Sequence, residues 1–330
     1  MRDNQVKSGI EGKLRAEPIC GPVFLVGAER SGTTAVRLML DHHPSVGWVN
    51  EFEYVVDMVP DGDGWPDVES YVEWLETHRI FTAAKLTVGK ALSYPELVDD
   101  FLRQWRERKG KPVVGATVHR HFDRLLRIWP DAKFLHIVRD GRDVAASNIR
   151  MGWAGNVWHG IDRWIEAERL WERMRGELGS ERYFEFRFED LITEPDRWLG
   201  EICDFLGVER DCDAMLSYPD DTTYSYPDSR LLYQWKRKMG AKDIAVLESR
   251  IGGMLTERGY ELAAERAAEP GLLGRVWYSV HNRYHKVKFS RRRLGTRLWL
   301  GLAIAKRFGS GDWYKRLLLR QNEITRQHLK

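Results

Sequence analysis

One stretch of this sequence limits the fold more than any other. The apolar run Val23–Val26 is followed at once by Gly27-Ala-Glu-Arg-Ser-Gly-Thr-Thr34, after which Ala35, Leu38 and Met39 recur at helical spacing until Pro44. A buried strand, a glycine-rich turn and a helix, in that order, make a cradle for an anion. Backbone N–H groups converge in such a turn, and the helix adds its positive N-terminal end. Gly27-x4-Gly32 has P-loop spacing, but Thr33 and Thr34 stand where an ATPase carries Lys and Ser/Thr. Arg30 supplies the cation two positions before the second glycine, and the hydroxyls of Ser31, Thr33 and Thr34 crowd the same spot. A glycine turn alone is an ordinary helix cap; Arg-Ser-Gly-Thr-Thr behind a buried strand points to a phosphate.

Three further apolar runs read as buried parallel strands: Val113–Thr117, Phe134–Val138 and Tyr183–Phe188. Amphipathic segments at Phe122–Trp129 and Ile161–Leu178 alternate with them. The expected fold is therefore α/β, a P-loop-type parallel sheet flanked by helices on both faces. Asp61–Leu97 reads as a helical insertion, Tyr218–Asp228 as a long surface loop, and Ala263–Pro270 as a boundary where the charge changes sign.

A second anion-binding constellation closes the run that ends at Val138. Arg139 sits at the carboxyl end of that strand, where ligands of open α/β sheets bind, and Asp143 to Arg150 reads as a helix carrying Ser147. Arg139 can fork onto a phosphate and Ser147 can donate beside it. The alternative is a surface charge cluster of Arg139, Asp140, Arg142 and Asp143.

Together these residues resemble the PAPS-dependent sulfotransferase family, and in particular bacterial relatives of its tyrosylprotein-type members. The resemblance covers roughly Pro22 to Tyr260. It makes residues 18–265 the sulfotransferase domain and residues 266–330 a basic helical C-terminal extension. It implies that Arg30, Ser31, Gly32, Thr33 and Thr34 hold the 5′-phosphosulfate of the donor and that Arg139 and Ser147, eight residues apart, hold its 3′-phosphate. Arg187-Phe-Glu-Asp-Leu191 resembles a family segment whose aromatic ring lies near the nucleotide. Phe188 keeps that ring without the hydroxyl. Gln234-Trp-Lys236 resembles a Gly-Arg-Trp segment, with Lys236 or Arg237 in place of the arginine charge. Glu51, twenty-one residues beyond Arg30, occupies the position of a general base, with Glu53 as the nearby alternative. The family's Gly-x-Lys-Thr-Pro is replaced by Val114-Gly-Ala-Thr-Val-His-Arg120, which leaves His119, Arg120 or Lys85 to supply the missing charge.

The implied chemistry is transfer of a sulfuryl group from PAPS, with PAP as product, to a hydroxyl acceptor (phenol, glycan, lipid or peptide tyrosine). Sulfuryl transfer is an in-line displacement in which the protein positions the partners and offsets developing charge. Glu51 and Arg30 are the expected catalytic pair, and no metal is called for. His42-His43 reads as a helix cap. Two other readings stand beside this one: a P-loop nucleotide kinase, disfavoured by the absent lysine, and a catalytically silent PAP binder. Trp153 and Trp158, in the Gly- and Trp-rich stretch Met151–Gly160, either wall an acceptor cleft or pack core.

The net charge of +3 conceals an asymmetry. Gly271–Lys330 carries fifteen basic and two acidic residues, a net of +13, which leaves −10 for Met1–Pro270. The tail reads either as a helical pair docked on the acidic body or as a segment for an anionic membrane surface, with nucleic acid the weakest option. The longest apolar run, Leu298–Ala305 with Gly301 inside it, is far shorter than the ~20 residues a spanning helix needs. Met1–Glu17 is polar and has no signal-type apolar run. Cys20, Cys203 and Cys212 fit neither a disulfide framework nor a zinc site and read as packing residues. The expected setting is cytoplasmic, peripheral to a membrane if the tail binds one.

Overall fold

The computed structural model describes residues 19–328, so Met1–Glu17 lies outside the described residues. Five strands, β1 (Val23–Val26), β2 (Val46–Glu51), β3 (Val113–Val118), β4 (Lys133–Val138) and β5 (Tyr183–Arg187), form one parallel sheet in the order β2-β3-β1-β4-β5. The helices of the first half are α1 (Thr33–His42), α2 (Val68–Leu75), α3 (Arg79–Ala84), α4 (Tyr94–Lys109), α5 (Leu125–Ile128), α6 (Gly141–Arg150), α7 (Val157–Gly160) and α8 (Asp162–Arg175). Those that follow are α9 (Phe188–Thr193), α10 (Pro195–Leu206), α11 (Cys212–Leu216), α12 (Tyr218–Asp221), α13 (Trp235–Lys238) and α14 (Ala241–Glu257). The tail adds α15 (Leu272–Leu294), α16 (Thr296–Phe308) and α17 (Gly311–His328).

Side chains alternate across a strand, and β1 shows what that requires of its sequence. Val23 and Leu25 face one hydrophobic core with Val36 and Met39 of α1 and Leu199 and Ile202 of α10. Phe24 and Val26 face the other, with Phe101 of α4, Trp164 and Trp171 of α8 and Leu247 and Ile251 of α14. A strand buried on both faces must be apolar throughout, which is why Val23–Val26 was legible as a buried strand.

Several boundaries shift from their expected places. The run at Tyr183 ends as strand at Arg187, and Phe188 opens α9. The insertion after Asp61 is three helices, the last running to Lys109 behind a capping box of Ser93 and Glu96 and ending at left-handed Gly110. Phe122–Trp129 is a 3-10 turn and a single α-turn. Tyr218–Asp228 starts as a helical turn with Tyr218 fully buried, because that ring fills the core beneath α1. Residues 258–271 carry neither helix nor strand. Beyond them three helices, not two, follow. Cys203 is buried against Met215, whereas Cys20 is exposed and does not pack core.

Candidate active site

The strand order creates a switch point between β1 and β3. The chain leaves β1 toward β2 at one edge and leaves β3 toward β4 on the opposite side, so the loops after these neighbouring strands part and open a crevice. Val26 pairs with Val118, which sets the Gly27 loop beside His119. Two clefts meet there. One, about 830 Å³, runs from the loop past Glu51 and Trp153 to α2 and α17. The other, about 1040 Å³, runs from the loop past Arg139 and Phe188 to the Tyr224–Leu231 segment. Arg30, Thr33, Thr34, Glu51 and His119 line both.

Both glycines of the loop are required by close approach. A Cβ on Gly27 would stand 2.3 Å from the Ile137 carbonyl oxygen, and one on Gly32 (φ +95°) 2.2 Å from the Phe188 ring. Gly32 is the N-cap of α1, so the unpaired N–H groups of that helix's first turn open on the crevice. Gly32→Ala combines positive-φ strain with the ring clash. It is expected to destabilise the fold by about 2–4 kcal/mol, read as a lower urea midpoint. Adding Phe188→Leu is expected to restore only the part due to the clash.

The two expected anion groups come together. Arg139 Nη1 donates to the Arg30 carbonyl at 3.3 Å and Nη2 to the Leu231 carbonyl at 2.9 Å, with its guanidinium 4.7 Å from the Phe188 ring. Ser147 is not paired with Arg139. Its hydroxyl accepts from Arg30 Nε at 3.0 Å, because the second turn of α6 faces the loop. Desolvation by the cleft walls, then the like charges of Arg150 and Arg139, lower the Arg30 pKa. Such converging cations favour an anion between them.

The charged residues after Arg139 are not a surface cluster. Asp140, Arg142 and Asp143 are buried. Asp140 caps α6 and binds Arg142 and the Trp235 indole N–H at 2.8 Å, and Arg142 reaches Glu248 at 2.6 Å. Asp143 accepts the backbone N–H groups of Gln234 and Trp235. The Gln234-Trp-Lys236 segment is thus a clamp on α6. Lys236 lies exposed, 5.0 Å from the Tyr233 ring, and is not among the residues lining either cleft.

The two candidate carboxylates have opposite settings. Glu51, the last residue of β2, is 48% exposed, 3.5 Å from Arg79. Glu53 is buried. Its Oε1 accepts from His119 Nδ1 at 2.6 Å and from the His119 backbone at 3.2 Å, while His119 Nε2 meets Thr33 Oγ1 at 3.0 Å. Burial opposes the charged imidazole, but the hydrogen bond and charge of Glu53 outweigh it, and the His119 pKa is raised. Burial likewise opposes the Glu53 carboxylate, and His119 again prevails to lower its pKa. The Glu53–His119 pair thus stands directly behind Thr33 of the cradle. Arg120 lines the first cleft but is engaged by Asp57 at 2.7 and 2.8 Å. Lys85 is exposed at the end of α3 and lines neither cleft.

Trp153 lines the first cleft with Arg163 4.7 Å and Arg30 5.9 Å from its ring. Trp158 instead stacks on Tyr278 of the tail. His43 caps α1 and accepts the Ser45 N–H at 3.0 Å. Sequence reading missed the far wall of the first cleft, formed by Tyr314, Lys315, Leu318 and Asn322 of α17, with Asn322 donating to the Thr77 carbonyl at 2.8 Å and Lys315 paired with Glu76. The opposite charges of tail and body were its only signal.

Known proteins resemble a large part of this chain. A protein-tyrosine sulfotransferase of Drosophila melanogaster is 25% identical over 211 residues, which is 60% of this chain and 40% of that one. An omega-hydroxy-beta-dihydromenaquinone-9 sulfotransferase of Mycobacterium tuberculosis is 29% identical over 123 residues, 33% of this chain and 32% of that one. The chain thus spans less than half the length of either relative. Among solved structures, the sulfotransferase domain of the Synechococcus PCC 7002 olefin synthase superposes with a TM-score of 0.56 at 20% identity, over 74% of this chain and 98% of that domain. Residues 22–212, from the strand before the cradle to the start of α11, match the model of the sulfotransferase family, to which this chain belongs.

Proposed function

We propose that this protein transfers a sulfuryl group from PAPS to the hydroxyl of an acceptor. One observation carries the reading: two clefts converge on a single cationic cradle, with a carboxylate, Glu51, shared between them. The residues present fit a doubly phosphorylated nucleotide. Ser31 Oγ and Arg139 Nε are buried and have no hydrogen-bond partner among the described residues, which supports an anion as their partner. Arg30, Ser31, Gly32, Thr33 and Thr34 would hold the 5′-phosphosulfate end. Arg139, with Phe188 beneath it, would hold the other end. Ser147 would act on the donor by fixing Arg30, and Lys236 would contribute only from outside the cleft. The first cleft would then take the acceptor, with Trp153 as its aromatic wall.

When bound, PAPS supplies the sulfuryl group and carries away the electron pair of the broken S–O bond on adenosine 3′,5′-bisphosphate. Glu51 takes the hydroxyl proton as the acceptor oxygen forms its bond to sulfur. Arg30, the first N–H groups of α1 and protonated His119 acting through Thr33 offset charge on the sulfuryl and bridging oxygens. His119 thereby occupies the role that the missing lysine leaves open.

Thermal shift tests the reading. At 100 times its dissociation constant a ligand stabilises a protein by about 2.7 kcal/mol, a shift of several degrees in Tm. Adenosine 3′,5′-bisphosphate is expected to give such a shift at concentrations where ATP gives little. A larger shift with ATP would overturn the reading, and transfer from labelled PAPS to a phenol, glycan and lipid panel would separate an enzyme from a silent binder.

A further inference from the structure

The outward side of the tail is apolar, the reverse of an ordinary surface helix. α15 meets the body through Tyr278, Asn282 and Phe289. Asn156 donates to the Tyr278 carbonyl at 2.8 Å, the Gly155 N–H donates to Asn282 Oδ1 at 2.7 Å, and a Cβ on Gly152 would stand 2.2 Å from the Phe289 ring. Leu272, Val276, Val280 and Tyr284 recur every fourth residue, with Leu273 and Trp277 alongside, roughly half a turn round the helix from that docked face. All six are exposed, Leu273 at 88%. α16 repeats the arrangement: Leu298 and Ala305 are buried, while Leu300, Ile304 and Phe308, again at fourfold spacing, face outward, Phe308 at 79%.

The segment that exposes this row is also the most cationic of the chain, with Arg291 and Arg292 exposed at the end of α15 and only two acids in the last sixty residues, while Arg293 turns in to the Thr325 carbonyl of α17. An apolar row alone would suit a second protein, and cations alone would suit nucleic acid. The two together, with Trp277 and Tyr284 as amphipathic rings, match an anionic bilayer. No helix among the described residues is long and apolar enough to cross a membrane, so the segment would lie along the surface.

We propose that α15 and α16 seat this protein on an anionic lipid surface, with the Leu272–Tyr284 row at the acyl boundary and the arginines on the headgroups. The proposal stands on the tail's own geometry. Its failure would leave the nucleotide experiment untouched, and the reverse holds.

Flotation of the full chain with vesicles tests it. Phosphatidylcholine vesicles with about one-third phosphatidylserine are expected to carry the protein at least ~10-fold more than phosphatidylcholine alone, and the excess should fall with added salt. The exposed triple variant Leu273→Ser/Trp277→Ser/Val280→Ser is expected to lower partitioning about 100-fold with Tm unchanged. Lys288→Glu/Arg292→Glu is expected to remove the preference for the anionic vesicles. Equal flotation on both vesicle types would overturn the proposal. So would a triple variant that floats like its parent, or one that merely converts a dimer to a monomer in light scattering.

Discussion

Glu51→Gln is expected to lower kcat by about 100- to 10,000-fold, the range a positioned general base contributes, while adenosine 3′,5′-bisphosphate binds within about twofold of its original affinity. The amide keeps the shape of the side chain but cannot receive the hydroxyl proton. Two differences support the proposed choice of Glu51 over Glu53, which also lines the first cleft. Glu51 ends β2 where both clefts meet, and its carboxylate is reached by solvent and hence by an acceptor. Glu53 Oε1 is already engaged by His119 twice. Arg79→Ala separates orientation from proton transfer: losing the 3.5 Å ion pair should raise the acceptor KM more than it lowers kcat. Labelled PAPS with the best acceptor of the panel gives the rates, and calorimetric titration gives the nucleotide affinity. If Glu51→Gln turned over at the parent rate, the proton would have to leave by another group.

How much of this site could be read from sequence depended on how local its signals were. The cradle was legible because strand, loop and helix are contiguous and each carries its own pattern, from the apolar run at Val23 to Pro44 after α1. β2 was harder. Its sequence, Val46-Gly-Trp-Val-Asn-Glu51, lacks a clean apolar run, since Gly47 is demanded by Lys109 packing 2.7 Å from where a Cβ would sit. The charged run after Arg139 looked solvated because its partners are distant. Asp140 meets Trp235 ninety-five residues on, and Arg142 meets Glu248 across 106. A charge reads as buried only when the group that neutralises it is known, and spacing along the chain does not reveal that. The same holds for Ser147, whose helix turns it to Arg30, and for the tail, whose composition left docking on the body and a membrane surface both open and gave no sign that α17 would wall a cleft.

The pairing least visible in sequence, Glu53 with His119 across 66 residues, carries the second large prediction. Breaking a buried ion pair by neutralising one member costs roughly 3–5 kcal/mol, so Glu53→Gln should lower stability on that scale. The loss has a signature in pH. The His119 pKa is raised above its ordinary 6.5, so its contribution is complete below that value and fades as pH rises through the raised one. The Glu53 pKa is lowered below its ordinary 4.5, so its contribution is complete above that value and fades as pH falls through the lowered one. Both shifts express one interaction. The stability gap between parent and Glu53→Gln should therefore be widest and flat between pH 4.5 and 6.5 and narrow on either side. Urea titrations across pH measure the gap, and the double variant with His119→Gln should cost little beyond either single change. A structural pair alone would stop there. If His119 also charges the cradle through Thr33, affinity for adenosine 3′,5′-bisphosphate should fall as pH rises through the His119 pKa. In Glu53→Gln, where burial of the imidazole is no longer opposed, that fall should move to lower pH. An affinity profile identical in parent and variant would confine the pair to holding the fold and would return the role of the missing lysine to Arg120, the other cation of that loop which lines the cleft.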